Sequence, residues 1–270
     1  MKKILWLGVL IVGFFFALWI YHRFFRPPPL PPRHESQLTI IEGWTVDDEI
    51  KYLLQEKQVT STGSAINMGR SINAQAFDEK WRAEFPFLKS LPGDRSLEGY
   101  LFPNTYRVWD DQLPEGLVRK QLHEFQDRFG GASIGSSSAP LKTLDEVVIL
   151  ASIVEREVRS PEDRKLVAGI FLKRLKAGMA LQSDATLTYL LGSNRSRSTA
   201  ADLAIDSRYN SYKYPGLPPS PIDNPGETSL RAVLEPTLSP YWFFLTDRQG
   251  KVLYAKTYEE HLKNKRKAGY

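Results

Sequence analysis

The sequence predicts a helix-dominated α+β fold tied to a membrane by one amino-terminal helix. Three observations predict it. Ile4 to Tyr21 runs for 18 residues without a charge. Several stretches carry helix-start signals, among them Thr143 with Glu146 and Thr257 with Glu260 at capping-box spacing. One hairpin signal supplies strand: Trp242–Thr246 and Val252–Ala255 flank Asp247-Arg248-Gln249-Gly250.

The apolar run comes first. As an α-helix it would rise ~27 Å, close to a hydrocarbon core of ~30 Å. Trp6, Trp19 and Tyr21 stand near its ends, where amphipathic rings favour the headgroup region. Lys2 and Lys3 would also suit a cleaved signal peptide. However, His22-Arg23-Phe24-Phe25-Arg26 follows with no small-x-small cleavage site, which favours a retained single-pass anchor. The expected order is a cytoplasmic tail at 1–3, the span at 4–21 and a stalk at 22–36, with the rest outside the cytoplasm. Pro27-Pro28-Pro29-Leu30-Pro31-Pro32 favours extended polyproline II and makes that stalk stiff.

A small α+β unit is expected at 37–95. Gln37–Ile41 reads as a strand, Thr45 caps a helix from Val46 to about Gln58, and a second helix covers about Ala74–Glu84. A larger, helix-rich unit is expected at 96–270. It holds an aromatic-rich segment at 97–106, helices over Pro114–Arg128, 143–158 and Pro161–Lys176, then the hairpin and a last helix.

Composition removes several chemistries. With Cys 0 there is no disulfide scaffold and no thiolate nucleophile or ligand. The four histidines, His22, His34, His123 and His261, lack metal-ligand spacing, so neither metal nor cofactor is expected. The net charge of +5 does not indicate nucleic acid. Residues 1–36 hold five basic groups against Glu35, which leaves 31 basic and 30 acidic groups, or +1, on the body. Carboxylates and hydroxyls are left to carry any reaction.

The segment 143–158 reads TLDEVVILASIVEREV. On a helical projection its apolar residues fill an arc of about 260°, so the helix should be nearly surrounded by protein. Glu157 falls about 50° from the arc's centre and Glu155 about 110° from it, while Arg156 points out of the arc. A buried carboxyl lacking a partner has a raised pKa and can act as a general acid. Pairing with Arg159, Arg164 or Arg174 is the structural alternative for both.

Ala151-Ser152-Ile153-Val154-Glu155-Arg156-Glu157 resembles the ASIVE-basic-E signature of the endolytic murein transglycosylases, the MltG or YceG-like family. Further segments match in the same order. They are Leu97-Glu98-Gly99-Tyr100-Leu101-Phe102-Pro103-Asn104-Thr105-Tyr106, Arg174-Leu175 to Gly178-Met179 with Leu181-Gln182-Ser183-Asp184, Tyr209-Asn210-Ser211-Tyr212, and Gly216-Leu217-Pro218-Pro219-Ser220-Pro221-Ile222 with Asn224-Pro225-Gly226. The resemblance covers about residues 38–265. It implies an enzyme that cleaves peptidoglycan between N-acetylmuramic acid and N-acetylglucosamine, leaves 1,6-anhydro ends and terminates growing strands. It also implies an extracytoplasmic body on a single-pass inner-membrane anchor, with peptidoglycan synthases (penicillin-binding proteins) as candidate partners.

By the same resemblance Glu157 is the catalytic glutamate. Val158 follows it where the family often has Thr, which removes a hydroxyl at that position. Glu155, Glu98, Tyr106, Gln182, Ser183, Asp184, Tyr209, Asn210 and Tyr212 are candidates for contacting the glycan, each with a packing role as its alternative. The unit at 37–95 resembles the family's LysM-like module through Ile41-Glu42-Gly43-Trp44-Thr45. Two other functions stand beside this one. A muramidase that adds water would need a second acid, for which Asp184 is the candidate. A non-catalytic wall-binding scaffold would be expected to have lost the central glutamate, and both are present.

Overall fold

The structure is a computed structural model that describes residues 13–25, 33–56, 79–92, 95–134, 140–192 and 199–269. It divides into two compact units, Met1–His34 and Glu35–Tyr270. In the first, residues 13–20 are α-helical and Tyr21–Phe25 continue as a π-helical turn. Phe14, Phe15, Phe16 and Trp19 are exposed on it. Among the described residues no helix is long and apolar enough to cross a membrane. Residues 4–12 of the expected span and the proline run of the stalk lie outside the described residues.

The second unit begins with strand β1 (Glu35–Thr39), which pairs antiparallel with β2 (Thr105–Trp109) so that Leu38 faces Tyr106. Alternate residues are buried, as expected where only one face of a strand packs on a core. β1 starts two residues before the expected Gln37, because its length follows its partner strand. The ladder spans the boundary expected at 95/96. Helix α1 (Val46–Glu56) opens on reciprocal bonds between Thr45 and Asp48, each backbone N–H donating 3.1 Å to the other's side chain. Helix α2 (Glu79–Glu84) leads into a 3₁₀ turn at Pro86–Ser90, and residues 74–78 of the expected helix lie outside the described residues. Trp81, Phe85, Phe87, Tyr100, Phe125 and Phe129 form one aromatic cluster that joins these elements to helix α3 (Glu115–Phe129).

Helix α4 (Leu144–Glu157) is the centre of the unit. Thr143 and Glu146 make the expected capping box, and every residue from Val147 to Val154 is buried. Full burial of each large aliphatic side chain contributes roughly 1.5–3 kcal/mol, so this helix is held mainly by packing. Helix α5 (Pro161–Lys176), helix α6 (Asp184–Leu191) and, after the short α7 (Ala200–Leu203), helix α8 (Glu227–Leu234) provide its surroundings. Hairpin β3–β4 (Phe243–Thr246, Val252–Ala255) and helix α9 (Tyr258–Lys267) close the chain.

The proline-rich segment 216–226 acts as a strut, buried from Ser220 to Gly226. Asn224 Oδ1 accepts from the N–H groups of Gly99 (2.7 Å) and Leu101 (3.2 Å), and its own N–H donates to Trp44 O at 2.8 Å. Ile222 N–H donates to Ser152 Oγ at 3.0 Å. These bonds tie the middle of α4, through the strut, to the loops that precede β2 and α1.

Candidate active site

Helix α4 stops at Val158, whose extended backbone ends the helical run directly after Glu157. Val158 is buried, and Arg164 Nε donates to its carbonyl at 3.2 Å. The two glutamates of the last turn therefore leave the helix in different surroundings. Glu155 Oε1 lies 2.5 Å from Arg164 Nη2, and Glu155 Oε2 accepts from Gly226 N–H at 3.0 Å. With a side chain only 5% exposed, it is a buried and fully partnered carboxylate. The helical projection ranked Glu157 as the deeper residue. The fold instead distinguishes the two by partner: Arg164 reaches Glu155, and no cation forms an ion pair with Glu157 among the described residues.

Glu157 accepts a hydrogen bond on Oε1 from Ser183 Oγ. Burial pushes its pKa up to about 7, and Asp184 nearby adds to the rise; the Ser183 bond and the positive charge of Arg174 act against it. A pKa raised to near neutrality is the condition for giving up a proton and taking it back. The hydroxyl missing at position 158 has a counterpart in Ser183, delivered from the loop before α6.

That loop is braced from the segment at 207–214. Gln182 N–H donates to Ser211 O (3.0 Å) and Ser183 N–H to Ser211 Oγ (3.0 Å), while Thr186 Oγ1 and Ser211 Oγ lie 2.9 Å apart. Gln182 has φ 53°, a left-handed conformation that a residue with a Cβ rarely adopts. The strain turns the chain so that Ser183 meets Glu157. Arg174 is nearly buried and held by the carbonyls of Leu181 (2.6 Å) and Trp242 (2.9 Å), which makes it a fixed charge behind the carboxyl.

Glu157 stands where two lobes of an open cleft meet. One lobe, about 670 Å³, is lined by Glu157, Arg174, Gln182, Asp184, Tyr212, β3, and Tyr258, His261 and Lys265 of α9. The other, about 510 Å³, runs between the end of α4 and the β3–β4 turn. Gln182, Asp184 and Tyr212 all line the first lobe, with Tyr212 Oη donating to Asp184 Oδ1 at 2.9 Å. Others are placed elsewhere. Glu98 accepts from Val46 N–H at 3.0 Å and caps α1, and burial raises its pKa to about 8. Tyr106 donates to Phe102 O at 2.6 Å within the core. Tyr209 bonds Ser220, and the fully buried Asn210 holds its own loop through Leu203 O (3.0 Å) and Ile205 O (2.9 Å). None of these four lines the cleft beside Glu157.

Arg174, Ser211 and His261 join the site without having been singled out for it. His261 stacks on Phe243 with ring centroids 5.4 Å apart and lines the cleft. Burial, with Lys265 and Arg174 nearby, lowers its pKa. Only its place in a capped helix was visible in the sequence. Among the described residues no group of three or more His, Asp or Glu could hold a metal ion.

Fold and site together define a helix-rich α+β protein whose open cleft is built around one protonatable carboxyl. The profile of the YceG-like family matches residues 24–267, and the chain belongs to that family. It is 35% identical over 243 residues to an endolytic murein transglycosylase of Bacillus subtilis, covering 86% of this chain and 62% of that protein. It is also 35% identical over 252 residues to one of Streptococcus pneumoniae, covering 85% of this chain and 44% of that protein. The chain thus spans less than two thirds of the length of either relative. A crystal structure of a YceG-like protein from Listeria monocytogenes superposes with a TM-score of 0.70 at 30% identity, over 85% of this chain and 76% of that one.

Proposed function

We propose that this protein is a lytic transglycosylase of peptidoglycan, with Glu157 as its single acid and base. One observation carries the reading: a carboxyl with pKa about 7, held by Ser183 and open to both lobes of a cleft, beside a second glutamate already spent on Arg164. Protonated Glu157 gives its proton to the glycosidic oxygen as the bond to C1 of muramic acid breaks. The resulting carboxylate, stabilised by Ser183 and Arg174, takes the proton from the C6 hydroxyl as that oxygen closes on C1. The products are a free sugar hydroxyl and a 1,6-anhydro end, and Glu157 is protonated again. Retaining and inverting hydrolases need a second carboxyl; this ring closure does not.

Digestion of purified sacculi, with the new ends identified by mass spectrometry, tests the reading. Anhydro ends are expected from the parent protein and no cleavage from Glu157→Gln. Asp184, in the same lobe, supports a second reading in which it positions a water. Reducing muramic acid ends would establish that muramidase and refute the transglycosylase.

The same proposal includes a retained amino-terminal anchor with the body outside the cytoplasm, resting on the uncharged run Ile4–Tyr21, and a LysM-like glycan contact by the first strand and helix. Strand termination beside a peptidoglycan synthase is its cellular setting. A mature protein whose first residue follows Tyr21 would refute the anchor.

A further inference from the structure

The lobe between the end of α4 and the hairpin turn is lined by three guanidinium groups, those of Arg156, Arg159 and Arg248. Its acids are Glu157 itself and two that are already engaged, Glu155 and Asp247. Glu155 is paired with Arg164. Asp247 Oδ1 accepts from the N–H groups of Gln249 and Lys251, both at 2.9 Å, and so holds the hairpin turn. Arg156 contacts Gly43 O at 3.4 Å and lies 4.0 Å from the buried Asp223, whose pKa is raised far above the usual carboxylate range by burial and by Glu155. Among the described residues Arg248 bonds a carbonyl, that of Gly269 at 3.2 Å. Neither Arg159 nor Arg248 has a carboxylate partner among the described residues. With Glu155 balanced by Arg164, the wall that leads to Glu157 sets three guanidinium groups against Asp247 and the protonatable Glu157, a local excess of positive charge.

Guanidinium groups bind carboxylates through charge-assisted, often bidentate hydrogen bonds. In a peptide-bearing strand the lactyl carboxyl of each muramic acid is tied up in an amide bond, so the sugars themselves present no free carboxylate. The peptides attached to its muramic acid units do. Resting on the glycan-cleaving reading, we propose that the Arg156–Arg159–Arg248 lobe binds the carboxylates of a peptide carried by the strand. A strand crossing Glu157 from one lobe to the other would then be gripped through its peptide on the arginine side. The enzyme discriminates between peptide-bearing strands and bare ones.

The test uses the full chain in detergent and two substrates: purified peptide-bearing strands, and the same strands stripped of peptide by an amidase, with the freed lactyl carboxyls then capped as methylamides. The parent should favour peptide-bearing strands by about tenfold in kcat/KM, expressed mainly in KM. In Arg159→Gln/Arg248→Gln that ratio should fall to near one. The free peptide should inhibit the parent competitively and the double variant far less. Should the double variant fail to fold, the single variants are read the same way, each with a reduced ratio expected. Equal parent rates on both substrates, or an unchanged ratio in the variants, would overturn the inference while leaving glycan cleavage intact. Inhibition by polyglycerol phosphate at concentrations where the peptide has no effect would overturn it in favour of a phosphate polymer. A parent protein that cleaves neither substrate refutes the glycan reading itself.

Discussion

Replacing Glu157 with glutamine should make the protein inactive and, at alkaline pH, more stable. The magnitude follows from linkage. The carboxyl has a pKa of about 7 in the fold against 4.5 in an unfolded chain. Below pH 4.5 it is protonated in both states and has no pH-dependent effect on folding. Between 4.5 and 7 the unfolded chain loses its proton first, so folding becomes less favourable as pH rises. Above 7 the full difference stands, roughly 3 kcal/mol. Glutamine keeps the volume and can still accept from Ser183 Oγ, but it cannot ionise. Urea unfolding of Glu157→Gln should therefore show a gain of up to ~3 kcal/mol over the parent at pH 8, and almost none at pH 4. Glycan cleavage should fall by ~10²–10⁴-fold or more, because one group serves as acid and then base. In the parent, kcat/KM should decline above about pH 7 as that proton is lost. A gain of equal size at both pH values would refute the reasoning, since it would show that the carboxyl is not held protonated by its surroundings. A variant retaining a tenth of the parent activity would refute the role.

Three other outcomes follow from the contacts. Glu155→Gln leaves the nearly buried Arg164 without its 2.5 Å partner and should cost about 3 kcal/mol by urea unfolding, near the low end for a broken buried pair because Glu42 lies 3.8 Å from Arg164; an unchanged midpoint would count against the pairing. Ser183→Ala removes the bond that favours ionised Glu157, so the alkaline limb of the pH–rate profile should move upward; a limb that stays in place contradicts Ser183 as its tuner. Gly99→Ala should destabilise by several kcal/mol, because φ is +93° and the added Cβ would stand 2.5 Å from Pro221 Cγ and 2.7 Å from Val148 Cγ1; a loss below ~1 kcal/mol would show that the strut yields.

Helices α4 and α5 were legible in the sequence to within a residue because their signals are local. Thr143 and Glu146 cap within one turn, Pro161 fits only a first turn, and the unbroken apolar arc admits a helix surrounded by protein. The hairpin and the Thr257 cap were legible for the same reason. The motif order also made Glu157 a candidate before any coordinates. The projection and the motif both preferred Glu157, but neither could say which of the two glutamates an arginine would pair, since both have arginines within reach along the sequence. Only the packing of α5 against α4 brings Arg164 to Glu155, and only the strained turn at Gln182 brings Ser183, 26 positions away, to Glu157. The same holds for Glu98, Tyr106, Tyr209 and Asn210, which motif membership grouped with the site and which the fold uses as caps and braces. A local pattern determines which face of an element is buried. Which polar groups meet inside depends on contacts between distant segments, and those meetings decide whether a carboxyl is paired and inert or protonated and able to react.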